Sequence, residues 1–239
     1  MIIGINGYSG SGKDTVGTII QYLLCPHHNP NESLQKILKD PNFHEWWLED
    51  DSGWEIKKWA GKLKVVAAML TGIPVEKFED QEFKKTYLGP EWATLKMRPG
   101  KRQDGIFPKL TDMEPVPMTV RDFLQKLGTD ALRDGLHKNA WVNALMSDYI
   151  GMYDLDTDKT TYPNWIITDT RFPNEAQAIK QANGIIIRVE RPGVKPINDH
   201  PSEVSLDKWE FDHVIENKGS VEDLSEKVKQ ILQIHKILS

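Results

Sequence analysis

The chain has 239 residues, 39% of them hydrophobic and 27% charged, with a formal net charge of −5 at pH 7. This is ordinary globular composition, with apolar material for one large domain and little room for a second of full size. The acidic balance argues against a nucleic-acid coat or a polybasic membrane face, but leaves room for a local basic pocket that takes phosphates. Cys25 is the single cysteine. It cannot form an intrachain disulfide, fits a reducing cytoplasmic setting, and reads as a small core filler at the end of a helix. Met1–Asn6 shows no basic leader and no long apolar run, so neither a signal peptide nor a membrane span is expected.

Ile2–Asn6 reads as a short buried strand that stops at a glycine-rich turn. Val16, Ile19, Ile20, Leu23 and Leu24 then recur at helical spacing until Pro26. Residues 26–54 read as an insertion with short helices over Glu32–Leu38 and Phe43–Leu48; the adjacent His27 and His28 are a weak metal pattern. A second strand is expected over Trp54–Ala60, a helix from Gly61 to Leu70 ending at Gly72, and another over Val75–Tyr87. The stretch Gly89–Pro117, rich in Gly and Pro, reads as an irregular arm or lid holding a short hairpin. Thr119 is placed to cap a helix that ends at Gly128, and a further helix runs over Asn139–Ile150 with Trp141, Leu145, Met146 and Tyr149 as its apolar stripe. Asp154–Pro163 reads as a polar linker. Trp165–Thr168 is a buried strand ending at Asp169, Pro173 opens a helix that runs to Ala182, and Ile185–Val189 is the next strand. Val214 and Ile215 mark a last short strand. Ser220 with Asp223 forms a capping box for a final helix carrying Leu224, Val228, Ile231 and Leu232 on its apolar face. Apolar strands alternating with amphipathic helices predict an α/β fold of three layers, α/β/α, with a mostly parallel sheet of about five strands.

The strongest motif is Gly-x4-Gly-Lys, from Gly7 to Lys13, set directly between the first strand and the first helix. Gly10, Ser11 and Gly12 allow the backbone to turn its N–H groups inward, the helix N-terminus adds a favourable dipole, and Lys13 reaches the β- and γ-phosphates of a nucleoside triphosphate. Ser or Thr usually follows the lysine and binds Mg²⁺. Here Asp14 stands in that place and Thr15 comes one later, so either residue is a candidate metal contact. Asp169, at a strand end, is a further candidate for the metal shell. Arg171 and Glu175 read either as a salt-bridged helix start or as a phosphate clamp and its orienting carboxylate. Lys62, Lys64, Arg121, Arg133, Arg188 and Arg191 supply further positive charge at element ends, as phosphoryl transfer requires. Gln125, Gly128, Thr129 and Asp130 form a polar cluster suited to a base edge or a sugar, or to a helix cap. Trp141 suits stacking on a base or packing in a core.

Taken together, Ser11-Gly12-Lys13-Asp14-Thr15, Ala60-Gly61 with Lys64, Leu124–Asp130, Trp141-Val142, Asp148-Tyr149, Asp169-Thr170-Arg171 with Glu175-Ala176, Arg191-Pro192-Gly193, and His200 with Ser202-Glu203 resemble the deoxynucleoside monophosphate kinases of tailed bacteriophages. The resemblance implies a P-loop kinase domain over 1–239 with inserts or lid-like segments at 26–54 and 89–117. It implies transfer of the γ-phosphoryl of ATP, with Mg²⁺, to a deoxynucleoside monophosphate. By that likeness Lys13 and Thr15 hold ATP phosphates and Arg191 lies near the adenine. Lys64, Arg121, Gln125, Gly128, Thr129, Trp141, Arg171 and Glu175 look toward the acceptor or the transferring phosphate. Small nucleotides are then the partners, without nucleic acid or membrane, and a homodimer is the ordinary expectation for a soluble enzyme. Other small-molecule P-loop kinases, of the dephospho-coenzyme A or phosphomevalonate type, and a non-catalytic NTP-binding protein share the opening loop and stand as alternatives.

Overall fold

The computed structural model describes residues 1–26, 34–39, 46–101, 109–196 and 201–238. In chain order the strands and α-helices are β1 (Ile2–Asn6), α1 (Lys13–Leu24), α2 (Leu34–Lys39), α3 (Trp46–Ser52), β2 (Trp54–Lys57), α4 (Ala60–Thr71), β3 (Thr94–Met97), β4 (Met113–Val116), α5 (Val120–Gln125), α6 (Ala140–Met146), β5 (Met152–Asp154), β6 (Lys159–Thr161), β7 (Asn164–Ile167), α7 (Pro173–Gln181), β8 (Ile185–Glu190), α8 (Pro201–Val204), β9 (His213–Glu216) and α9 (Val221–Ile234). They group into two compact units, residues 1–59 with 142–239, and residues 60–141.

The first unit is built on a five-stranded sheet in the order β2-β7-β1-β8-β9. Every pairing in it is parallel. Strand β1 sits at the centre because Ile2, Ile3 and Ile5 are fully buried and feed both faces. Ile3 and Ile5 join Val16, Ile19 and Ile20 of α1 and Leu224, Val228 and Leu232 of α9 on one face. Ile2 joins Trp165, Ile167, Ala176, Ile179 and Ile186 on the other. Each such aliphatic side chain, removed from water, contributes about 1.5–3 kcal/mol. Gly4 lets α7 lie close to the strand: a Cβ there would stand 2.5 Å from Ile179 Cδ1. The α/β/α sandwich expected from the sequence is therefore what forms. Because all five strands run the same way, the segments following β1, β2, β7, β8 and β9 emerge at one edge of the sheet, where open α/β sheets bind ligands.

The second unit has its own core of Ala67, Phe78, Val120 and Phe123. Trp92 meets Phe123 edge-on, with ring centroids 4.8 Å apart. Strands β3 and β4 pair antiparallel as the short hairpin expected within 89–117. Helix α5 carries the expected cap: Thr119 Oγ1 accepts from Asp122 N, and Asp122 returns the contact at Thr119 N.

Several local expectations are corrected. The helix over Val75–Tyr87 is instead two 3₁₀ turns, Val75–Glu79 and Phe83–Lys85. Asp80 interrupts it, its Oδ1 accepting from the N–H groups of Glu82 and Phe83, which offers the backbone an alternative to the helical ladder. The strand expected over Trp54–Ala60 stops at Lys57, and the helix expected over Asn139–Ile150 is shorter, Ala140–Met146. Gly128 does not end a helix. It lies inside a π-helical stretch, Lys126–Asp134, that continues from α5. The Asp154–Pro163 linker is part of an antiparallel hairpin, β5 with β6; its strands are exposed throughout, so no apolar alternation marked them. Helices α2 and α3 lie close to the positions read from the sequence. The His27-His28 pair and His200 lie outside the described residues.

Candidate active site

The loop after β1 carries the site. Gly7 passes so close to its surroundings that a Cβ would stand 2.4 Å from Ser11 Oγ and 2.6 Å from Val189 O. Gly12, at φ +97°, enters α1 in the left-handed conformation that glycine alone adopts freely. Val16 is an early amide of the helical ladder, donating to Gly12 O at 2.9 Å. The amides just ahead of it are those a helix start presents to an anion. Asn217, just beyond β9, braces this loop: its Nδ2 donates to Ser11 O at 2.8 Å and stands 2.5 Å from where a Gly12 Cβ would be.

Lys13 is buried at the start of α1. Burial holds its ammonium below the ordinary lysine range; the charges of Asp14, Asp169 and Glu203 push the other way, and Arg171 adds to the lowering. These five charged groups therefore share one locality at the strand edge. Asp14 is drawn toward β7 by Thr168 Oγ1, which donates to its Oδ1 at 3.0 Å. The Lys13 and Lys58 ammonium groups stand 3.9 and 4.0 Å from the Asp14 carboxylate. Asp169, at the end of β7, is buried, and its Oδ1 accepts from the Trp59 N–H at 2.7 Å. Arg171 is fixed at both ends. Its backbone N–H, with that of Phe172, donates to Glu175 Oε2 at 2.7 and 3.0 Å, and its Nη1 donates to Glu203 at 3.2 Å. Of the two readings of the Arg171–Glu175 pair, the carboxylate thus caps α7 while the guanidinium pairs elsewhere.

Next to the loop lies a cavity of about 380 Å³, lined by Tyr8, Ser11, Arg188, Arg191, Pro192, Val194 and Glu216 among others. Tyr8 and Arg188 of its lining belong to a partly buried polar network that sequence reasoning did not assemble. Arg188 Nη1 donates to Asn6 Oδ1 at 2.6 Å, and its Nη2 donates to Asp207 at 3.1 Å. The guanidinium lies 4.7 Å from the Tyr8 ring, whose hydroxyl also donates to Asp207, at 2.8 Å. Burial, then Asp207, raises the Tyr8 phenol above its ordinary range. The available signal was polar: Asn6 and Arg188 are the buried hydrophilic residues of two strands whose other buried residues are all apolar or glycine.

The remaining candidates belong to the second unit and are described within it. Lys64 is buried on α4 with its ammonium on the Glu79 carboxylate. Arg121 Nη2 donates to Gln81 at 3.3 Å. Gln125 ends α5, while Gly128 and Thr129 lie in the π-helical stretch. Gly128 O accepts from Trp141 Nε1 at 2.8 Å, and a Cβ on Gly128 would stand 2.8 Å from Leu63 Cδ2. Two residues named for one site are thus direct partners. Among the described residues no three His, Cys, Asp or Glu side chains converge as a metal cage, and no helix is long and apolar enough to cross a membrane.

A glycine loop leading from a central parallel strand into a helix, with a buried lysine at its start, defines a P-loop fold of the α/β class. Residues 84–228 match the family model described as deoxynucleotide monophosphate kinase, and the chain belongs to that family. It is similar to the deoxynucleotide monophosphate kinase of Enterobacteria phage T4, 34% identical over 116 residues, covering 48% of this chain and 46% of that protein. The enzyme of the same description from Escherichia phage RB69 is 30% identical over 115 residues, 48% and 45% of the two chains. The deoxynucleoside-5′-monophosphate kinase of Escherichia phage T5 aligns over 91% of this chain and 90% of its own, at 25% identity. The match thus spans about half the length of the T4 and RB69 relatives.

Proposed function

We propose that the protein transfers the γ-phosphoryl of ATP to a deoxynucleoside 5′-monophosphate, giving the diphosphate. The observation that carries the reading is the buried Lys13 ammonium at the P-loop, in one electrostatic neighbourhood with Arg171 and Asp169. Phosphoryl transfer needs no covalent intermediate; the acceptor's phosphate oxygen attacks in line, and the protein supplies position and positive charge. Gly10, Ser11, Gly12, Lys13 and Thr15 hold the triphosphate, with Arg191 and the cavity beside it receiving the adenine. Arg171 takes the transferring phosphate, and Glu175 fixes the backbone from which it projects.

Mg²⁺ is usually bound by one or two carboxylates together with the nucleotide's own phosphates. Asp14, with Lys13 and Lys58 close to its carboxylate, and Asp169, at a strand end, fit that donor set, with Thr15 alongside. When bound, the ion neutralises charge developing on the phosphates. Lys64, Arg121, Gln125, Gly128, Thr129 and Trp141 serve the acceptor nucleotide. The chain acts as one kinase domain with inserts at 26–54 and 89–117, the latter a closing element. The enzyme works on small nucleotides rather than nucleic acid or membranes, as a cytoplasmic homodimer.

The test is a panel of ribo- and deoxynucleoside monophosphates with ATP and Mg²⁺, scored for diphosphate. Deoxynucleotides are expected to turn over, and Lys13→Ala to lower the rate by about 10²–10³-fold with the circular dichroism spectrum unchanged. A flat panel, or a Lys13→Ala protein with the normal rate, sinks the assignment.

A further inference from the structure

We propose that Glu203 is the positioning residue for Arg171: it holds the guanidinium in the orientation in which it meets the transferring phosphate. The proposal rests on the kinase reading above. Three observations carry it. Glu203 is nine-tenths buried at the side chain, whereas Arg171 is 41% exposed, so the carboxylate is the fixed member of the pair and the arginine the one that reaches outward. The contact spans 32 positions of sequence and joins the segment after β7 to α8. The second carboxylate oxygen, Oε2, is buried and makes no hydrogen bond among the described residues.

That last feature separates a functional placement from a structural one. A buried, unsatisfied acceptor costs stability, and natural folds carry few of them. Removing Glu203 leaves Arg171 exposed enough for water to solvate it, so the fold loses little and sheds an orphaned oxygen. What it loses is the constraint on a long, flexible side chain, which a phosphate-directed arginine needs in order to act without reordering during the reaction. Residues that cost stability and are compensated elsewhere concentrate at functional sites. The backbone of Arg171 is already anchored by Glu175. Glu203 supplies the matching restraint at the far end of the side chain.

The experiment is a double-mutant cycle with Arg171→Ala, Glu203→Ala and the double variant, read as kcat, KM for ATP and melting temperature. Glu203→Ala is expected to lower kcat about 10- to 100-fold with KM for ATP changed by less than about threefold. Its melting temperature stays level or rises, and the double variant is no slower than Arg171→Ala alone. Glu203→Gln, which keeps an oxygen for Arg171 Nη1, recovers most of the rate. Independent, multiplying losses in the cycle, or a fall in melting temperature that accounts for the lost rate, overturn the proposal. If the wild-type protein makes no diphosphate with any acceptor, the kinase reading fails and this proposal falls with it; wild-type turnover with uncoupled variants overturns this proposal alone.

Discussion

Cys25 shows how completely surroundings set the behaviour of a single residue. Its thiol is packed with Ile37 and Leu48, and burial, assisted by the charge of Asp51, pushes it up from 9.0 to about 11. At pH 8 this leaves roughly a hundredfold less thiolate than an ordinary cysteine has, and the thiolate is the reactive form. Native protein is therefore expected to label with iodoacetamide at least about a hundredfold more slowly than free cysteine, with fast labelling appearing only on unfolding; labelling at the free-thiol rate in the native state would contradict this. The same shift makes the native state lose stability between pH 9 and 11, because the unfolded thiol gives up its proton first. At this scale the sequence was informative where placement follows from residue type and local spacing, as for the glycine loop between β1 and α1 and the carboxylate of Asp169 just past β7. It was silent where a residue's role is set by a distant partner. Asn217, Thr168 and Asp207 are ordinary polar residues until the fold brings them to Ser11, Asp14 and Arg188.

Among the elements, β9 and α9 are tied by a histidine pair, His213 and His235, with their Nε2 atoms 2.8 Å apart and rings at right angles. Burial and then His235 hold His213 below its ordinary 6.5, opposed by the neighbouring Asp212, which is itself bound by Lys180 and the Ile186 N–H. Below pH 6.5 the unfolded chain takes up the proton before the native one, so stability is lost as pH falls through this range. The urea midpoint is expected to drop on the acid side, and His213→Gln to flatten that drop; an unchanged acid limb in the variant would remove His213 from the account. Elements whose signal is local were legible. The cap of α5 was read from Thr119 and the capping box of α9 from Ser220 with Asp223, and both form. Elements decided by competition were not. Asp80 captures the amides a helix would use, and Gly128 sits within a helical run, where its missing Cβ leaves room for Leu63.

For the molecule as a whole, the separate core of residues 60–141 has a thermodynamic consequence. Phe78 is fully buried there, and Phe78→Ala is expected to cost about 3–5 kcal/mol. Amide hydrogen exchange should accelerate within 60–141 while Ile166 and Ile186 of the sheet keep their protection; equal losses at both places would show one cooperative core. The bracing of the P-loop by Asn217 has a different reach. The motif is shaped by a hydrogen bond that closes across 206 residues. Its flanking strands β7 and β8 also come from the far side of the intervening unit. On a ribosome, the loop would therefore be made well before the strands and the asparagine that shape it. A nascent chain would carry Gly7–Lys13 without this brace until Asn217 had been made.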